Sequence, residues 1–93
     1  MNKGDQNQNL GESGPAQPRP GRYRHYKGGE YWVYSCATHS ETEQQLVVYR
    51  PLYGDRELWV RPVEMFMEDV EIEGKRRPRF AWVNDDPEGA PAL

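Results

Sequence analysis

A disulfide needs two cysteines, and this chain of 93 residues has one, Cys36. No apolar run approaches the roughly 20 residues of a membrane span. No C-x-x-C or H-x-x-x-H spacing exists, so Cys36, His25 and His39 do not form a zinc pattern, which wants four ligands or three plus water. Gly28-Gly29 has neither the strand–loop–helix context nor the following Lys-Ser/Thr of a phosphate cradle and reads as a turn. No segment keeps a helical period over 11 residues. These absences leave no metal, no cofactor and no assigned catalytic residue. The single thiol, with no secretory signal in view, points to a reducing cytoplasm.

Large apolar residues are scarce at both ends. Residues 1–18 hold Leu10 among Asn, Gln, Gly, Pro and Ser, and residues 84–93 are acidic and Pro-rich. Such segments bury too little surface to offset roughly 1–2 kcal/mol of backbone entropy per residue. The expectation is a disordered N-terminal arm over 1–18, a folded domain over 19–83 and a disordered acidic tail over 84–93. The net charge of −3 belongs to the ends: from Arg19 to Val83 there are 11 Lys/Arg against 10 Asp/Glu. Overall charge therefore does not select nucleic acid as a partner; only a local basic patch would.

What the middle does have is aromatics. Six Tyr, three Trp and two Phe all fall between Tyr23 and Trp82. Each buries about 150–250 Å², which compensates a small domain for its missing staple. The same stretch reads as short strands. Gly21 to Lys27 alternates, with Tyr23 and His25 on one face and Arg24 and Tyr26 on the other. Tyr31 to Thr38, Leu46 to Tyr53 and Leu58 to Arg61 follow, with Pro51 confined to an edge, bulge or strand end. Val70 to Ile72 finds its partner in Pro78 to Val83 across a Glu73-Gly74-Lys75 turn. Gly54-Asp55 reads as a tight hairpin and His39 to Gln45 as a longer one. Pro62 to Asp69 supplies one or two helical turns, with Pro62 at the first helical position. In the second strand Tyr31, Val33, Ser35 and Ala37 share one face, and Trp32, Tyr34, Cys36 and Thr38 the other. Five or six short strands with one helical turn make an all-β domain, a small barrel or a strongly bent sheet.

The strings GRYRHYKGGEYWV, ATHSET and VVYRPLYGDRELWVRPVEMF, followed by the closing V–G–PRF pattern, resemble the small bacterial family of unknown function DUF1653. The resemblance runs over about Gly21 to Phe80. It implies an SH3-like β-barrel and no known activity.

Three groups of residues carry chemistry. Tyr49, Tyr53, Trp59, Arg61 and Phe66 make an aromatic wall with one guanidinium, suited to a small anion, a peptide carboxylate or a Pro-rich segment, with Trp59 and Phe66 as core the competing reading. Of these, Tyr49, Tyr53 and Arg61, with Arg24, His25, Tyr26 and the loop His39-Ser40-Glu41, define the expected ligand groove. Arg22, Arg24 and Lys27, interleaved with Tyr23 and Tyr26, and the run Lys75-Arg76-Arg77-Pro78-Arg79 are the nucleic-acid candidates: charge for the backbone, rings for stacking. His39-Ser40-Glu41 is the most enzyme-like string, but triads converge in space rather than along the chain, and Ser and Thr in loops cap turn amides. The reading is a monomeric, cytoplasmic, non-catalytic module that binds an unknown protein, peptide or small anionic ligand and no membrane. A single-stranded RNA or DNA binder is the alternative, and a small hydrolase or transferase comes third.

Overall fold

The computed structural model describes residues 17–93. The expected disordered arm therefore lies, but for Gln17 and Pro18, outside the described residues. The elements in chain order are β1 (Gly21–His25), β2 (Glu30–Thr38), β3 (Gln45–Pro51), β4 (Trp59–Pro62), α1 (Val63–Phe66), β5 (Asp69–Ile72), β6 (Lys75–Pro78) and β7 (Phe80–Asn84). Five strands form an antiparallel sheet in the order β4-β3-β2-β1-β7, and β5 pairs with β6 as a separate ribbon. The domain is all-β with one short helical turn, and the strands number seven among the described residues where five or six were expected. No helix among them is long and apolar enough to cross a membrane.

The sheet is rolled. β3 and β7 stand three places apart, which in a flat sheet is roughly 14 Å at about 4.8 Å per strand. Yet the rings of Tyr49 and Phe80 lie 6.0 Å apart. Arg61, on the edge strand β4, holds its guanidinium carbon 5.6 Å from the ring centre of Phe80 on the opposite edge strand, β7. Inward side chains of the two edges meet only if the sheet curls on itself.

The core inside the roll is Tyr23, Tyr31, Val33, Val47, Tyr49, Val63, Phe66 and Phe80. Five of these eight are aromatic, which is how the domain holds together without a disulfide. Helix α1 closes the roll from below: Val63 and Phe66 are its buried residues. Phe66 stacks on Phe80 at 4.2 Å and meets Tyr23 and Tyr49 edge-on at 5.3 and 5.5 Å. Pro62 flanks the helix as its N-cap instead of taking the first helical position.

Three local expectations are corrected. In β2 the register with β3 skips between Val33 and Ser35. The extra residue at Tyr34 is a β-bulge, which reverses the alternation beyond it. Cys36 thus packs against the core, while Ser35 and Ala37 are exposed. The partner of Val70 to Ile72 is Arg77 to Lys75, not the stretch from Pro78 onward, and Phe80–Asn84 pairs with β1. The tight turn forces this: Glu73 and Gly74 have φ of 52° and 80°, a two-residue loop that places Ile72 opposite Lys75. Gly54-Asp55 is not a tight hairpin, because β3 ends at Pro51 and β4 starts at Trp59. Pro51 sits at the strand end, as its missing N–H requires.

Candidate binding site

Rolling the sheet gathers side chains from four of its strands around Phe80. Tyr31 and Phe80 meet edge-on at 5.3 Å, and His25 meets Phe80 edge-on at 4.8 Å. Tyr49 lies 5.7 Å from Tyr31 and 6.2 Å from Trp59. Tyr53, from the loop after β3, closes the row: its hydroxyl lies 2.6 Å from that of Tyr31. Gly29 makes room for it, since a Cβ there would stand 2.7 Å from Tyr53 Cε1. Arg61 Nε donates to Tyr49 Oη at 3.1 Å while its guanidinium covers Phe80. Tyr49 is 1% exposed, so it positions Arg61 and does not itself face solvent. Tyr53 and Trp59, 50% and 44% exposed, form the open rim.

The polar groups on this face are donors. Burial and the neighbouring Tyr53 hydroxyl push the Tyr31 phenol up to about 12, so it keeps its proton. In the Tyr31–Tyr53 pair one hydroxyl donates and the other retains a free O–H. Burial, and then the charges of Arg79, Arg61 and Lys27, pull the His25 imidazole below its usual value and keep it neutral. Its Nδ1 accepts the Lys27 amide at 3.1 Å, which puts the proton on Nε2. Arg61 has no carboxylate within 4.0 Å among the described residues, whereas Arg22, Arg24, Arg76 and Arg79 each have one.

Two shallow depressions flank this face. One, of about 160 Å³, runs between Tyr53 and Trp59 over Gly54, Asp55, Arg56 and Glu57. The other, of about 230 Å³, is lined by Arg24, His25, Tyr26, Arg77, Pro78 and Ala81. Both fall short of the ~300–1,000 Å³ of an enclosing ligand pocket. They hold a group, not a whole molecule.

Of the expected groove residues, the structure brings His25, Tyr49, Tyr53 and Arg61 together. Tyr26 joins through His25, at 4.6 Å between rings. Arg24 turns away to Glu30, at 2.6 Å. The His39-Ser40-Glu41 loop is not part of the group. It follows the far end of β2, seven residues beyond Tyr31, roughly 23 Å at the strand rise. There His39 Nδ1 accepts the amides of Glu41 and Thr42 at 3.1 and 3.3 Å, and Thr42 Oγ1 accepts that of Gln44 at 3.2 Å. His39 and Thr42 organise their own loop, while Ser40 and Glu41 are exposed. The two basic groups, far apart in sequence, meet: Arg24 and Arg77 line one depression, and Arg79 lies 6.0 Å from the Tyr26 ring. Four of the seven nucleic-acid candidates, Arg22, Arg24, Arg76 and Arg79, carry carboxylate partners; Lys27, Lys75 and Arg77 have none within 4.0 Å among the described residues. Sequence reasoning missed Tyr31 and Phe80 as site residues. Alternation places Tyr31 on one strand face with Val33 and assigns no role to it or to Phe80, and only the roll of the sheet brings Phe80 under Arg61.

The sequence matches the family model for proteins of unknown function DUF1653 over residues 21–82. The chain belongs to this family. A crystal structure of a DUF1653 protein from Bordetella bronchiseptica is similar to it, at 37% identity over 73% of this chain and 90% of that one, with a TM-score of 0.67. No curated protein matches the chain. The DUF1653 range takes in every residue of the face around Phe80 and stops short of residues 87–91.

Proposed function

We propose that this DUF1653 domain is a non-catalytic binding module whose Arg61 face receives the anionic group of a peptide, protein or small ligand. One observation carries the reading: Arg61, the Tyr31–Tyr53 hydroxyl pair and His25 Nε2 offer donors and a positive charge on one half-open aromatic face, and among the described residues no carboxylate lies within 4.0 Å of Arg61. Such a face is unsatisfied until an acceptor arrives, and a guanidinium held at Nε keeps its two outer nitrogens for a carboxylate or phosphate. A ligand extending from Arg61 past Trp59 meets Asp55 and Glu57, so its far end carries no acid. That polarity favours a peptide end or a zwitterion over a polyanion. A role as a cytoplasmic monomer, with the SH3-like barrel that the family resemblance implies, belongs to the same proposal.

A single-stranded nucleic acid is the second reading, supported by the joining of the two basic groups at Arg24, His25, Tyr26 and Arg77. The test is an amide NMR titration of the full chain at two salt concentrations against inorganic phosphate, a blocked peptide with a free terminal carboxylate, and a short single-stranded RNA. Shifts at Tyr31, Tyr53 and Arg61 with phosphate or the carboxylate, lost in Arg61→Gln, support the proposal. Shifts centred on Tyr26 and Arg77 with RNA alone, weakening steeply with salt, replace it with the second reading. A folded Arg61→Gln variant that binds as the wild type does overturns it.

A further inference from the structure

The opposite, outer face of the sheet carries a second cluster that the proposed function does not use. Trp32 on β2 stands in register with Arg22 on β1 and with Arg50 on β3, so one row across three strands reads Arg–Trp–Arg. The Arg22 guanidinium lies 5.8 Å from the Trp32 ring. Tyr34, the bulge residue, sits beside the row with the Arg50 guanidinium 5.5 Å from its ring. Arg50 Nε is buried with no hydrogen-bond partner among the described residues. Two guanidinium groups, an indole and a phenol thus face outward together.

A segment of the chain already rests on them. Arg22 Nη2 donates to the carbonyl of Glu88 at 2.9 Å, and the Tyr34 hydroxyl donates to the carbonyl of Pro91 at 2.6 Å. The segment is shaped by a turn: the Ala90 amide donates to the Pro87 carbonyl at 2.9 Å, and Gly89 holds φ at 81°. Glycine at that position is what such a turn requires. Ala90 and Pro91 are half-buried. The stretch from Asp85 to Pro91 carries Asp85, Asp86 and Glu88 and no cation, which complements Arg50, while Arg22 is shared with Glu30 at 3.4 Å.

We infer that this outer face is a docking surface for an acidic, proline-flanked peptide turn, and that residues 87–91 occupy it in cis. Recognition runs through two backbone carbonyls, those of Glu88 and Pro91, read by Arg22 and Tyr34. An external peptide of this kind has to displace the resident segment, so the segment acts as a built-in competitor. The face lies on the other side of the sheet from Arg61, and the inference stands independently of the reading given above.

The experiment uses the full chain. Gly89→Ala weakens the turn without a clash, because a Cβ at Gly89 meets nothing within 4 Å; the cost is the left-handed backbone alone, worth about tenfold in the cis equilibrium. The probe is the peptide Asp-Asp-Pro-Glu-Gly-Ala-Pro-Ala-Leu with both ends blocked, and the readouts are the Trp32 indole and Tyr34 NMR signals. The expected result is that these signals move in the variant, that the probe returns them towards the wild-type positions, and that it binds the variant about tenfold more tightly than the wild type. Adding Tyr34→Phe to Gly89→Ala removes most of that binding, and Arg61→Gln leaves it unchanged. Unmoved Val33 and Val47 methyl signals certify that each variant is folded. Trp32 and Tyr34 signals identical in wild type and Gly89→Ala overturn the inference. So does a probe that fails to move them, or one that acts at Arg61 instead.

Discussion

Tyr49→Phe tests the link between core and site most directly. The substitution keeps the ring and its contacts with Tyr31, Phe66, Phe80 and Trp59, all within 6.2 Å. It deletes one atom, the acceptor of the 3.1 Å bond from Arg61 Nε. Hydrogen bonds to charged groups are worth about 1.5–3 kcal/mol. Arg61 is half-buried and recovers part of this from water, so the expected loss is about 1–2 kcal/mol. In a domain of this size that lowers Tm by roughly 4–15 °C. Urea and thermal unfolding followed by circular dichroism measure it. A double-mutant cycle with Arg61→Met isolates the pair, and its interaction energy should be about 1 kcal/mol or more. Anion binding should weaken in the Phe variant as well, because Arg61 loses the anchor that aims it. A loss below about 0.5 kcal/mol with zero coupling refutes the claim that Tyr49 holds Arg61.

Phe66→Ala removes the ring stacked on Phe80 and should cost about 3–5 kcal/mol, enough to leave the domain largely unfolded at 37 °C by circular dichroism. Tyr31 titrates near 12 when folded and 10.0 when unfolded, so its contribution is complete below pH 10 and is lost as the pH rises to 12; unfolding free energies over that range should fall more steeply in the wild type than in Tyr31→Phe. His25 shifts the other way: its contribution is complete above pH 6.5 and falls away as the pH drops through its lowered value, and because a bound anion favours the imidazolium, phosphate affinity measured by NMR should rise as the pH falls below 6.5. Arg24→Gln breaks an ion pair with an exposed arginine and should change stability by less than about 1 kcal/mol in urea unfolding.

The fold was largely legible because alternation and turn chemistry are local. Tyr31 to Thr38 reads as a strand from its side chains alone, and the structure extends it by Glu30. Glu73-Gly74 reads as a turn because a tight hairpin demands positive φ. The errors arose where one residue changes the count or a partner is distant. The bulge at Tyr34 leaves no mark in composition, yet it turns Cys36 inward. Phe80 to Asn84 has a nearby strand to pair with in sequence, but in space it pairs with β1. The site divided along the same line. Tyr49, Tyr53 and Arg61 follow from side-chain type and strand phase. Tyr31 joins them from the neighbouring strand β2, and Phe80 only because the rolled sheet brings β7 up to β3 and β4, its neighbours neither in sequence nor in the ladder.

The pairing of Gly21–His25 with Phe80–Asn84 sets when the domain can exist. Tyr23 finds Trp82, and His25 finds Phe80, only after everything between them has been made. Ladders between such distant stretches put small β domains among the slower two-state folders, at about milliseconds to seconds. On a ribosome adding about 5–20 residues per second, the aromatics of β1 to β3 emerge seconds before Phe80, the residue they close upon. During that interval Tyr23, Tyr31 and Tyr49 have no roll to enter. The nascent chain is then most open to aggregation and to chaperones, and slow synthesis through residues 50–80 would lengthen that window.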